Sequence, residues 1–423
     1  MMKEDIIPKN LSTRNTCRVC GNEKLEEITS LGNQVLVNFL DISSQKKFSA
    51  PLDLILCNKT SGGCGLLQLK HTVPGDLLYK QFWYKSGVNQ TMKDALLDVV
   101  TKSEKLISLR ENDIVVDIGS NDSTLLRSYS TKNLVLVGFE PATNLLDEAK
   151  KGTTKIFNDY FNSEKFIGEF GERKAKLITS ISMFYDLEDP NKFVDDVVKI
   201  LDKDGIFIIQ MNYLVSMLDN KAFDNIVHEH LEYYSLIALE YLLSKHNLSV
   251  FDVEFNDLNG GSIRTYVKHK QCDKYPQSDR VQKTRDKEEK MGLQNHEVYY
   301  KFAEDINNLK AETYQFIKNE VDNGKKIYVY GASTRGSTLL QFFNLDNKLI
   351  EAAADRNPIK WDKIIAGTEI PIISEESARK ENPDYFLILP WYFIEEFKIR
   401  EKEYLEKGGK FIVPLPKFDI IGT

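Results

Sequence analysis

The chain has 423 residues, 42% hydrophobic and 28% charged, with a formal net charge of −7, enough apolar material for roughly two or three cores. A net negative charge, with no Lys/Arg cluster interleaved with aromatics, excludes a nucleic-acid partner. No apolar run approaches the ~20 residues that span a bilayer, and the opening MMKEDIIPKN lacks the apolar segment of a secretion signal, so the expectation is a cytoplasmic protein with no membrane contact.

Four of the five cysteines, Cys17, Cys20, Cys57 and Cys64, fall within the first 64 residues, and Cys272 stands alone far downstream. CRVCG is a Cys-x2-Cys knuckle, and CNKTSGGCG supplies a second, wider pair whose glycines let backbone amides turn toward thiolates. In a reducing compartment such pairs, separated by a strand-rich segment, predict a tetrahedral four-cysteine zinc site rather than disulfides. Four thiolates close the coordination sphere, so the metal is expected to be structural.

After an aromatic linking stretch, DIVVDIGSNDSTLLRSY reads as strand, glycine turn, helix. LVLVGFEPA is a second strand ending at Glu140, placed to accept the ribose hydroxyls of an adenosine at the strand ends of a doubly wound sheet. KLITSIS and GIFIIQM are two further buried strands around the helical pattern NKFVDDVVKIL, so the architecture is βαβ. The turn has Gly119 but no G-x-G-x-x-G, and continues with Ser120, Asn121 and Asp122. With Asp117 before it, this acidic turn suits the amino group and sulfonium of S-adenosylmethionine better than a diphosphate. Asp122 reads equally well as the cap of the following helix.

VHEHLEYY holds His228, Glu229 and His230. Zincin ligands would need a second histidine at 232, where the chain has Glu232. A catalytic base with its orienter and a merely structural pair of histidines both stay open on these residues alone. Farther on, KKIYVYGASTRGSTLLQFF is again strand, glycine turn, helix, and LIEAAADRNP is the strand that follows. Gly331 and Gly336 are spaced as in a phosphate loop, but Ser337 stands where the Walker lysine is required. What remains is a helix N-terminus with Arg335 available for a diphosphate, or a purely structural domain.

Taken together, the cysteine module, SGVNQTM, DIGSND, GFEPA, FNDYF, DNIVHEH, NGGSIR, YGASTRGSTLLQFF and LPWYF resemble, in order, the bacterial nucleotide-sugar C-methyltransferases that make branched deoxysugars. The resemblance implies an α/β fold: a class I methyltransferase Rossmann-like sheet at residues 76–255, a zinc module at 1–75, and a second Rossmann-like domain at 256–423 that helps bind the nucleotide-sugar. It implies S-adenosylmethionine held by Ser86, Asp117, Gly119, Ser120, Asn121, Asp122, Glu140, Pro141, Ser180 and, near the adenine, Asn158, Asp159, Tyr160 and Phe161. A substrate site of Asn212, Asn259, Gly260, Arg264, Gly331, Ala332, Ser333, Arg335, Asp355, Trp391 and Tyr392 follows from the same blocks. The implied reaction is C-methylation, at C3, of a dTDP-linked 4-keto-deoxysugar, with His230 as base, Glu229 orienting it, and His228 and Tyr84 supporting. O- or N-methylation of such a sugar, or a binding protein with a degenerate cofactor site, are the alternatives, and a monomer or homodimer is expected. Two departures stand out: Ser123 where the family's turn has glycine, and Val227 where some members have tyrosine.

Overall fold

The computed structural model describes residues 4–36, 39–41, 46–80 and 85–422. Tyr84 lies outside the described residues.

The central sheet has seven strands in the order Lys155–Phe157, Val135–Phe139, Ile114–Ile118, Ala175–Ile181, Leu201–Asn212, Ser262–His269, Leu248–Asn256. The first five are parallel, and Ser262–His269 runs antiparallel to both its neighbours. This is the class I methyltransferase order, with the seventh strand inserted between the fifth and sixth. All five residues of Ile114–Ile118 are buried, as a strand covered on both faces must be. The helix Pro190–Ile200 starts at Asp189, whose side chain accepts from the Lys192 amide, with proline in its first turn. It buries Phe193, Val194, Val197 and Ile200 in the main core.

Two local expectations change. The segment after Gly119 forms no α-helix, only a 3-10 turn at Leu126–Ser128. Asn121 and Ser123 hold φ of 50° and 61°, left-handed values that interrupt the helical hydrogen-bond ladder. The hairpin of the last two strands also straddles the 255/256 boundary, because backbone pairing carries the central sheet on to His269.

A 26-residue helix, Glu297–Asp322, leads into the second sheet. Its order is Ile372–Ser374, Ala352–Asp355, Ile327–Tyr330, Tyr385–Ile388, Lys410–Val413, Asp419–Ile421, with the last strand antiparallel. The N-terminal module has its own sheet around Lys46–Leu56. Two short pairings tie the three parts together: Glu232–Tyr233 adds to Leu67–Leu69, and Lys363–Ile365 pairs with Phe39–Asp41.

Candidate active site

The sulfurs of Cys17, Cys20, Cys57 and Cys64 all lie within 4.8 Å of one another. Cys17 and Cys64 are 3.6 Å apart, and Cys20 and Cys57 are 3.3 Å apart. Those distances are far beyond a disulfide bond and close to the ~3.8 Å edge of a tetrahedron with 2.3 Å metal–sulfur bonds. A Cβ on Gly63 would lie 2.6 Å from the Cys57 sulfur, so glycine is what lets the second pair fold around an ion. The donor set fits Zn2+ and leaves no thiolate spare for chemistry.

The first two strands of the central sheet end in the turn that the sequence marked for the methyl donor. Gly119 has φ 72°, and a Cβ there would meet Met183 Cγ at 2.9 Å. Asp117 is buried, accepts from Thr179 Oγ1 at 2.6 Å, and has its pKa raised to about 7 by burial against that bond, with Glu140's charge adding to the rise. Glu140 accepts the Asn121 amide on one carboxylate oxygen and the Ala142 amide on the other, both at 2.8 Å. Each oxygen keeps a second lone pair, so ribose hydroxyls could share the carboxylate with the turn that it braces. Asn158 Nδ2 donates to the Glu140 carbonyl at 2.8 Å, and Pro141 follows, half-buried. The hydroxyls of Ser120 and Ser180 are buried without a partner among the described residues. Free hydroxyls, a glycine-only turn and a carboxylate at the second strand end form a cradle of the kind an adenosyl donor fits.

Asp122 is not aimed at a ligand. It accepts Thr124 N at 3.1 Å and Thr124 Oγ1 at 2.7 Å on one oxygen and Gly87 N at 2.7 Å on the other, so it braces its own turn against the 86–88 turn, and with no α-helix following it caps none. Asn121 Oδ1 likewise accepts the Ser86 amide at 2.9 Å, which brings the 86–88 turn onto the donor loop. In FNDYF, Phe161 packs edge-on against Phe139 at 5.1 Å and is part of the core. Asp159 pairs with Lys165, and Tyr160 is exposed.

The histidine segment lies beside this turn through one loop, residues 182–186: Met183 fills the space against Gly119, and the Tyr185 ring sits 4.3 Å from that of His230. His230 Nδ1 faces the Asn225 carbonyl at 2.8 Å, so Nδ1 carries the proton and Nε2 the lone pair. Burial lowers its pKa to about 3, and the charge of Arg335 acts in the same direction, against the Asn225 carbonyl. His228 is different: Nε2 bonds the Ala50 carbonyl of the zinc module at 2.9 Å, and burial lowers it to about 4. That contact makes it an anchor rather than a donor to substrate. Glu229 Oε2 is buried without a partner among the described residues, and burial raises this carboxyl to about 7. Asn212 Nδ2 donates to Asn225 Oδ1 at 2.6 Å. A small cavity is lined by Tyr185, Asn212, Tyr213 and His230.

Tyr213 also lines a larger cavity of about 680 Å³, walled by Gly260, the helix Asp279–Met291, Trp391 and Tyr392. Of the expected substrate residues, Gly260, Trp391 and Tyr392 face it. The others do not. Arg264 is buried in ion pairs with Asp98 and Glu254. Arg335 is buried, paired with Asp224 at 2.8 Å, and donates to the Asn259 carbonyl at 2.6 Å, and it does not line the large cavity. The phosphate-like loop is filled by its own neighbours. A Cβ on Gly331 would meet Pro390 at 2.7 Å, Ser333 caps the Gly336 amide, and Lys360 binds the Ala332 carbonyl and Asp355. Sequence reasoning missed Tyr185 and Tyr213, although both follow strands at the carboxyl end of the sheet, where open α/β sheets put their ligands.

Residues 17–79 match a zinc binding domain, residues 84–253 a methyltransferase domain and residues 257–416 a C-methyltransferase C-terminal domain. C-methyltransferase NovU of Streptomyces niveus is 32% identical over 415 residues, 96% of this chain and 97% of that one. Two solved structures overlay on part of the chain: an S-adenosylmethionine-dependent methyltransferase from Clostridium acetobutylicum (15% identity, 42% of this chain and 89% of that one, TM-score 0.32), and magnesium protoporphyrin IX methyltransferase from Synechocystis with bound SAH (10%, 43% and 87%, TM-score 0.33). Overlays this shallow add nothing to the family match. The three domains in that order, and a relative of that identity spanning almost all of both chains, mean that the chain belongs to the S-adenosylmethionine-dependent C-methyltransferases with an N-terminal zinc binding domain.

Proposed function

We propose that the protein methylates C3 of a nucleotide-linked 4-keto-deoxysugar through an enolate generated by His230. The observation that carries this reading is the fixed tautomer of His230, with Nδ1 donating to the Asn225 carbonyl and Nε2 left as the basic atom. S-adenosylmethionine supplies the electrophilic methyl group. Nε2 takes the proton from the carbon beside the ketone, and the electron pair passes to the ketone oxygen. Burial opposes an isolated imidazolium, but the enolate forms beside it with the opposite charge and offsets that penalty. Tyr185 against the ring and the Asn225 carbonyl keep the imidazole from rotating. Asn212, whose Oδ1 has no partner among the described residues, is placed to accept a sugar hydroxyl. Val227 is buried and apolar, so residue 227 offers no hydroxyl to the ketone oxygen.

The test is solvent exchange at C3 of dTDP-4-keto-deoxysugars in deuterium oxide, with S-adenosylhomocysteine replacing the donor. His230→Asn should bind both ligands nearly as the unaltered protein does and lose exchange and turnover together, by about 10²- to 10⁴-fold. Exchange at the unaltered rate in that variant overturns the assignment. Turnover at oxygen or nitrogen with no exchange at carbon overturns the reaction.

A further inference from the structure

We infer that Tyr185 is a further catalytic residue, whose phenol hydroxyl donates to the ketone oxygen of the acceptor and stabilises the negative charge that this oxygen takes on as the enolate forms. This rests on the enolate reading above and deepens it, giving the oxygen a donor that Val227 does not supply.

The cavity beside His230 measures about 10 Å³, room for a single water-sized atom. A ketone oxygen fits there and a sugar ring does not, so the acceptor would meet the base with that oxygen foremost. An oxyanion needs a donor with a hydrogen to spare, and the described residues of the wall can be taken in turn. Leu214 and Met217 are apolar, and Glu232 receives the Tyr234 hydroxyl at 3.1 Å. Asn212 turns its Nδ2 to Asn225 Oδ1 at 2.6 Å, and its unpartnered atom is Oδ1, an acceptor. The Tyr213 hydroxyl donates to Glu288 at 2.8 Å. His230 holds its proton on Nδ1, against the Asn225 carbonyl. Two phenols are left, Tyr185 and Tyr233.

Their places in the fold choose between them. Tyr233 stands on the strand that pairs with Leu67–Leu69 of the N-terminal module, and its hydroxyl is buried there without a partner among the described residues. Tyr185 has its ring 4.3 Å from that of His230, on the same loop as Met183, which fills the space against Gly119 of the donor turn. It is therefore the phenol that stands between the turn for the methyl donor and the base. The carbon that loses a proton and gains a methyl group must sit between those two, with the ketone carbon one bond away.

The hydroxyl is also set up to donate. The Ser182 side chain hydrogen-bonds it, and a hydroxyl that accepts from one neighbour donates more strongly to the next. Ser182 holds φ of 56°, a left-handed value rare for a residue with a Cβ, and its amide donates to the Gln210 carbonyl at 2.7 Å. The Tyr185 carbonyl accepts from the Leu231 amide at 2.8 Å, so the turn is anchored at both ends. Burial pushes the phenol well above its ordinary value, with the charge of Asp186 adding to the rise, so its proton stays in place. At C3 the C–H bond breaks, its proton passes to His230 Nε2, its electron pair becomes the C3–C4 π bond, and the carbonyl π pair moves onto oxygen. Tyr185 keeps its own proton throughout, and its hydrogen bond strengthens as that charge grows.

The test is Tyr185→Phe in the full chain, which keeps the ring against His230 and removes only the hydroxyl, with Tyr233→Phe made beside it. Turnover of a dTDP-4-keto-deoxysugar, C3 exchange in deuterium oxide with S-adenosylhomocysteine present, and calorimetric affinity for S-adenosylhomocysteine are measured for each. In Tyr185→Phe, kcat and exchange should fall together by about 10²- to 10³-fold. Its KM and its S-adenosylhomocysteine affinity should stay within about threefold of the unaltered protein, which also shows that the variant is folded. Exchange in Tyr185→Phe within about threefold of the unaltered rate overturns the assignment and leaves the enolate reading standing. A loss confined to Tyr233→Phe moves the donor there and overturns it too, as does a fall in S-adenosylhomocysteine affinity as large as the fall in turnover. An unaltered protein that methylates oxygen or nitrogen with no exchange at C3 removes the enolate, and the role of Tyr185 with it.

Discussion

Replacing Arg335 by Met separates two roles for this residue, since the sequence offered it to a diphosphate and the fold spends it on Asp224. Asp224 is almost fully buried. Its Oδ2 lies 2.8 Å from Arg335 Nη2 in an ion pair and accepts from Trp391 Nε1 at 3.2 Å, and its Oδ1 has no hydrogen-bond partner among the described residues. Removing the guanidinium strands that carboxylate and takes a donor from the Asn259 carbonyl, so the expected loss is that of breaking a buried pair, about 3–5 kcal/mol. Arg335→Met/Asp224→Asn removes both charges and should recover about 2 kcal/mol of it, the coupling that a double-mutant cycle isolates. Urea unfolding of the four proteins gives the stabilities. Hydrogen–deuterium exchange at 224–230 should report loosening, because the Asn225 carbonyl that fixes His230 is the next residue along. An Arg335→Met protein of unaltered stability that has lost dTDP affinity by tenfold or more would refute the reasoning and return Arg335 to the diphosphate.

Gly119→Ala should weaken S-adenosylhomocysteine binding by about tenfold, through its φ of 72° and the 2.9 Å approach to Met183; adding Met183→Ala should restore only the steric part, and full restoration would rule out backbone strain. Because burial raises Glu229 from 4.5 to about 7, its contribution to stability is present below pH 4.5 and lost as pH rises through 7. The unaltered protein should therefore lose up to about 3 kcal/mol between pH 5 and 8 that Glu229→Gln keeps, and equal urea midpoint shifts in the two proteins would contradict this. With His230 lowered to about 3, the base stays neutral from pH 5 upward, and the exchange rate at the acceptor carbon should show no histidine limb near pH 6.5. Cys17→Ser should lower zinc content and thermal midpoint together, and a metal-free variant with unaltered stability and activity would remove the metal from the account.

What could be read from the sequence is what local pattern encodes. The four cysteines and the all-buried strands announce themselves by spacing and take the expected places, and Glu140 stands at the end of its strand, where it accepts the Asn121 amide. Contacts made across the chain were not legible. Arg335 looked like an anion ligand because its local setting is a glycine turn and a helix start, yet its carboxylate partner lies 111 positions earlier, at Asp224. Asp122 looked like a ligand acid until Gly87, from a turn 35 residues upstream, occupied it. The helix 279–291 reads as an ordinary charged surface, and only folding sets it beside Trp391 and Phe255.

The zinc module also has a place in the active site that its motif does not reveal. Immediately after His230, Leu231 enters hydrogen bonds with Leu69 and Tyr185, and Glu232–Tyr233 becomes the edge of the sheet that carries the second cysteine pair. His228 is fixed to Ala50 of the same sheet, and Lys245 and Asn191 of the methyltransferase unit bind carbonyls within the first knuckle. The His230 segment is thus suspended between a strand edge belonging to the metal module and Asp224, which pairs with Arg335 of the C-terminal domain. The sheet holding the histidine segment is folded around the four cysteines, so on the proposed reading zinc bound there would act on where Nε2 points from outside the reaction site.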